Sequence, residues 1–68
     1  MFKPDKVRGY RNMLGKNQEQ MGKALGISKQ SYCNKENGYV PFKDSEKIIF
    51  KNLLLPLFPN IILEDIFF

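Results

Sequence analysis

Apolar residues recur along this chain at the three- and four-residue intervals of an α-helix rather than alternating as a strand does. Val7, Tyr10, Met13 and Leu14 make one such stripe, predicting a helix that begins after Pro4 or Asp5, ends near Leu14 and is stopped by Gly15. Met21, Ala24 and Leu25 fall at i, i+3 and i+4, predicting a second helix over residues 18–25. Asn17 suits its N-cap, and Gln20 is placed to complete a capping box. Gly26 then follows as a residue free to turn left-handed, Ile27 plugs the corner, and Ser28 caps a third helix over residues 29–37. Asn37-Gly38 is a hairpin signal in isolation, but the flanks do not alternate, so Gly38 reads as the stop of that third helix. Phe42, Ile49, Phe50 and Leu53 predict a fourth helix from Lys43 or Asp44 to about Leu54, facing inward. Pro56 and Pro59 break the chain, and a final turn or two covers residues 63–67. The fold class this predicts is all-α: a compact bundle of five helices with no sheet.

Helix, glycine turn and helix within so few residues is the plan of a helix-turn-helix. The pattern T-Q-x-x-L-A-x-x-L-G-I-S-x-x-x-I-x-x-x-E-x-G belongs to the family of lambdoid-phage repressors, Cro and the Xre-type regulators. This chain resembles it at Asn17-Gln18, Met21-Gly22, Leu25-Gly26-Ile27-Ser28, Tyr32 and Glu36-Asn37-Gly38. The closing Ile62-Leu63-Glu64-Asp65-Ile66-Phe67 is similar to the short last helix of many members. Lys35-Glu36 with Gly38 and Phe42 looks most like small Gram-positive phage members, and the resemblance runs from about Val7 to the end. It implies one lambda-repressor-like DNA-binding domain over residues 1–68. There are departures: Lys16 and Lys35 stand where apolar residues are commoner, and Ile62 where a Ser or Thr cap is usual. Gly22 stands for the usual Ala, implying that the neighbouring helix crosses closely there.

Size and charge fit one small domain. A chain of 68 residues buries only about 60% of its unfolded surface, so self-association would help it. Lys3, Asp5, Lys6 and Arg8 with no apolar run are not what a signal peptide needs, and the run 53–58 is too short and Pro-broken to span a bilayer. The single Cys33 forms no internal disulfide, which suits a cytoplasmic protein. Net charge is +4 overall, but residues 1–39 carry eight basic and three acidic side chains against three basic and four acidic in residues 40–68. The positive half is the half with the helix-turn-helix, as a polyanion-binding face requires, although a plain solvated surface gives a similar imbalance.

With Tyr32 turned inward, Gln30, Asn34 and Asn37 fall within about 40° of the opposite direction on a helical wheel. Amides match the donor and acceptor that adenine presents in the major groove. Lys29 can reach guanine or a phosphate, and Ser31 lies on the other flank. The resemblance implies that Lys29, Gln30, Ser31 and Asn34 occupy base-contacting positions; the bland alternative is that they merely face water. Gln18 at the start of helix 2, together with Asn37, Tyr39 and Lys43 around the end of helix 3, are the expected phosphate contacts. Packing on Phe42 is the alternative for Tyr39. Lys16 and Lys23 are weaker candidates.

The resemblance further implies that Arg11 and Glu36 form a buried bridge tying helix 1 to the end of helix 3. The C-terminal third is so apolar that a surface for a partner is expected, with residues 53–68 as a dimerisation segment and Leu57, Phe58, Ile66 and Phe67 as its contacts. The alternative is that these residues complete the monomer core. Nothing points to catalysis or a cofactor: without His and with one Cys, neither a histidine triad nor a typical zinc site can be built, and the glycines make no phosphate-binding loop. The expectation is a non-enzymatic, cytoplasmic, homodimeric regulator that binds a palindromic double-stranded DNA operator, with no membrane or small-molecule partner. A protein-binding module gripping another regulator through the apolar C-terminus is the alternative.

Overall fold

Pro4, whose ring presets a helical φ and whose missing N–H costs nothing at a helix start, opens α1 (Pro4–Met13) in the computed structural model, which describes residues 3–68. Gly15, at φ +70°, turns the chain away from α1. In α2 (Gln18–Leu25) the Asn17 carboxamide accepts from the Gln20 N–H at 2.8 Å, while the Gln20 side chain accepts from the Asn17 N–H at 2.9 Å. Two N–H groups with no intrahelical partner are thereby satisfied reciprocally. Gly26 adopts φ +77°, and the Ile27 N–H folds back onto the Gly22 carbonyl at 2.9 Å, closing α2. Ser28 Oγ accepts from the Ser31 N–H at 3.1 Å and starts α3 (Lys29–Glu36), which Asn37 caps one residue earlier than the spacing predicts.

Neither α4 (Asp44–Leu54) nor α5 (Leu63–Phe67) has a Ser, Thr, Asp or Asn at its N-cap. An acidic residue three positions into each helix supplies the acceptor instead. Glu46 reaches back to the Lys43 N–H at 2.8 Å, and Asp65 to the Ile62 N–H at 3.2 Å. The absent Ser or Thr before Leu63 therefore leaves the start of the last helix where the sequence places it. Among the described residues there are five helices and no strand.

The closest packing is between α2 and α3; α5 lies against both α1 and α4, α2 reaches α4, and α1 meets α3. Gly22 makes the α2–α3 approach feasible. A Cβ there would stand 3.0 Å from the Ile27 carbonyl oxygen and 3.1 Å from that of Ser28, so the limit is set by the turn backbone rather than by the body of the neighbouring helix. Behind this pair sits the core of Val7, Met21, Leu25, Tyr32, Phe42, Phe50, Leu54, Ile61, Ile66 and Phe67. Phe42 is its aromatic hub, with ring centroids 6.1 Å from Tyr32, 6.4 Å from Phe50 and 5.1 Å from Phe67, within the range of edge-on aromatic attraction.

Several expected inward positions are displaced. Met13 is 59% exposed and Ile49 37% exposed, because the inward stripes run through Val7, Arg11 and Leu14 in α1 and through Glu46, Phe50 and Leu54 in α4. Each misassigned residue is one position, about 100° of helix, off its stripe. Ile66 and Phe67 are likewise corrected as dimer contacts. α5 folds back between α1 and α4, which buries both side chains in the core of the single chain. Among the described residues no helix is long and apolar enough to cross a membrane.

Candidate nucleic-acid interface

α3 presents two chemically different sides. Tyr32, Lys35 and Glu36 are buried, whereas Lys29, Gln30 and Ser31 are exposed and Asn34 is half-buried. On the outer side the Gln30 amide nitrogen donates to the Asn34 Oδ1 at 3.2 Å, so the two amides stand together one helical turn apart. Asn37, just beyond the helix, is exposed, and its Oδ1 accepts from Arg8 Nη2 at 3.3 Å. Because the carboxamide oxygen meets a cation that can only donate, the nitrogen end is left to point elsewhere as a donor. Tyr39 is 79% exposed, and Lys43 is exposed at the start of α4. The four expected base-reading residues are thus spread around the part of α3 that Tyr32, Lys35 and Glu36 leave uncovered, and Asn37, Tyr39 and Lys43 lie along the loop that follows it.

Gln18 is different. Its side chain turns inward, donating to Glu36 Oε1 at 3.2 Å and accepting from Cys33 Sγ at 3.1 Å. What Gln18 offers outward is therefore the backbone at the start of α2, where helix N–H groups lack intrahelical partners. Cys33, half-buried, acts in this network as a small donor.

The buried side of α3 is held by charge. Glu36 is fully buried and accepts from Arg11 Nε at 2.7 Å and from Arg11 Nη2 at 3.3 Å, a forked contact that fixes both side chains. Arg11 Nη1 also donates to the Lys16 carbonyl at 2.9 Å, and Arg8 Nε stands 3.6 Å from Glu36 Oε1. Burial by itself would raise the Glu36 carboxyl, but the hydrogen bonds from Arg11 and Gln18, with the Tyr32 hydroxyl close by, outweigh it and hold the group below its ordinary value. The Tyr32 hydroxyl leans toward the same carboxylate without reaching full hydrogen-bond geometry. Burial, then the nearby Glu36 charge, raises that hydroxyl far above its ordinary value. The Arg11 guanidinium is raised chiefly by its bond to Glu36.

A second buried pair was not legible as a site in the sequence. Lys35 Nζ lies 2.6 Å and 2.7 Å from the two carboxylate oxygens of Glu46, with both residues buried. Burial would raise the Glu46 carboxyl, yet the bonds from Lys35 and from the Lys43 N–H bring it below its ordinary value. These pairs change the charge argument. Arg11 and Glu36 cancel within the positive first half of the chain, whereas Lys35 is neutralised by Glu46 from the second half. The cations near α3 that remain at the surface include Arg8, Lys23, Lys29 and Lys43.

Among the described residues no group of His, Cys, Asp and Glu is gathered in a way that could hold a metal ion. No family model, curated protein or solved structure matches this chain. A functional reading therefore stands on the chemistry of this surface and on the sequence motif.

Proposed function

We propose that this chain is a sequence-specific regulator that binds double-stranded DNA, of the Cro or short-repressor type, with α3 as the helix that enters the major groove. The observation that carries the reading is the contrast between the two sides of α3. The inner side is fixed by Tyr32, Glu36 and Lys35; the outer side offers Lys29, Gln30, Ser31 and Asn34. A reading helix needs both properties, because base edges discriminate only against donors and acceptors held in place. Gln30 and Asn34 would read adenine edges, and Lys29 a guanine or phosphate. The start of α2, Asn37, Tyr39 and Lys43 would grip the backbone on either side of the groove.

Such a domain would act in the cytoplasm as a homodimer on a palindromic operator, regulating by occupancy. With Ile66 and Phe67 consumed by the core, the expected contacts left to support a dimer are Leu57 and Phe58, both exposed. The same apolar exposure supports the second reading, a module that grips another regulator. Sedimentation separates them: self-association at micromolar concentration favours the dimer, and a strictly monomeric chain favours the partner.

Titration of a fluorescent random-sequence duplex at rising salt tests the DNA reading at its base. Non-specific binding with a Kd on the order of 10⁻⁴–10⁻⁶ M near physiological salt, with the logarithm of the association constant falling linearly with log salt, is the expected result. Absence of binding even at low salt would overturn it.

A further inference from the structure

Buried ion pairs are weak stabilisers. Removing two charges from water costs about as much as their attraction returns, and an apolar pair of similar volume is often as good or better. The Lys35–Glu46 pair therefore calls for an account other than stability, and its connections supply one. Glu46 Oε1, which accepts from Lys35 Nζ at 2.6 Å, also accepts from the backbone N–H of Lys43 at 2.8 Å. One carboxylate thus joins the last turn of α3 to the residue that opens α4.

The loop between them is tied at its other end to the same part of α3. The Tyr39 and Val40 N–H groups both donate to the Asn34 carbonyl, at 2.9 Å and 3.3 Å, and the Gly38 N–H donates to the Lys35 carbonyl at 3.1 Å. Asn34 therefore offers its side chain to the outer face of α3 while its carbonyl holds the loop. Between the two ties the loop is exposed, carrying Tyr39, Val40 and Pro41.

We propose that Lys35 and Glu46 are positioning residues for nucleic-acid binding, locking Lys43 and the 38–42 loop to α3 so that backbone grip and base reading act as one rigid unit. The inference rests on the DNA reading above. Without the lock, Lys43 would be held through the buried ring of its neighbour Phe42, which leaves its amide and side chain room to shift relative to Gln30 and Asn34. A phosphate contact displaced in this way loses its share of counterion release.

The test combines the double variant K35M/E46L with amide hydrogen exchange. The apolar pair is expected to fold, because it removes two desolvated charges while filling the same space, although it also takes away the acceptor of the Lys43 N–H at the start of α4. Its salt dependence of DNA binding should be shallower by about 0.9 per protomer, the share of one lost phosphate contact, with weaker affinity for the duplex. A stable double variant with wild-type slope and affinity overturns the proposal. In the wild type the Lys43 N–H, which precedes the helix proper, should be protected from exchange, and this protection should vanish in the double variant. Rapid exchange in the wild type overturns the lock whether or not the variant folds. A wild-type protein that binds no duplex while Lys43 remains protected instead overturns the DNA reading, and with it the role but not the lock.

Discussion

Replacing Glu36 with Gln removes one charge and leaves the size and shape of the side chain almost unchanged. Glu36 is fully buried and Arg11 is only 9% exposed, so the substitution strands a guanidinium in the interior. Breaking a fully buried pair costs about 3–5 kcal/mol. Arg11 keeps its bond to the Lys16 carbonyl at 2.9 Å, and the new carboxamide can still accept one bond, which places the expectation at the low end, about 3 kcal/mol. A domain of this size holds on the order of 3–10 kcal/mol in total, so the loss is a large fraction of its stability. Its Tm should fall by about 12–24 °C, from the 4–8 °C per kcal/mol typical of small domains.

Acid supplies a second signature. The Glu36 carboxyl is held below its ordinary value, so its contribution is complete above the unfolded value of about 4.3 and is lost as pH falls through the folded one. Denaturant unfolding followed by circular dichroism, at neutral pH and then stepwise into acid, should show a large gap between wild type and E36Q that closes below about pH 4. Equal midpoints at neutral pH, or a gap that persists unchanged in acid, would refute the reasoning.

Other consequences follow from the same structure. Gln30→Ala should cost about 1–3 kcal/mol of affinity for a cognate duplex while leaving binding to random duplex and its salt slope unchanged, as fluorescence anisotropy on both would show. Gly22→Val should lower stability by about 1–3 kcal/mol, because the new side chain meets the Ile27 and Ser28 carbonyls, and a melting curve measures it. Tyr32 has a hydroxyl that burial pushes far upward, so the unfolded chain ionises first. Stability should therefore be lost as pH climbs past about 10, and Tyr32→Phe should remove that component in alkaline melts. Leu57→Asp should abolish any self-association seen by sedimentation while leaving the helical circular dichroism intact, since Leu57 is 53% exposed.

The elements of this fold that could be read from the sequence are those whose signals are local. Asn17 with Gln20, Gly26 and Ser28 act within a few residues of themselves, and the turn between α2 and α3 appears where they place it. Tyr32, the only large apolar residue in its segment, fixes which side of α3 faces out. Phase was less secure where a charged residue occupies the buried stripe. Arg11 and Glu46 lie on the inward faces of α1 and α4, and a count of apolar spacing passes over both, displacing the assignment to Met13 and Ile49. Lys35 was invisible for the same reason, since its partner is eleven residues away and a lysine reads as solvated. The burial of Ile66 and Phe67 depends on where α5 returns in space, which no spacing within those residues encodes.

Selection from a pool of randomised duplex DNA near physiological salt decides whether α3 reads sequence. A DNA-reading α3 should recover a two-fold symmetric motif whose half-sites lie about one helical turn, 10–10.5 base pairs, apart. Recovery of no motif, with only weak and salt-sensitive binding to every duplex, would contradict it and leave α3 as a generic polar surface.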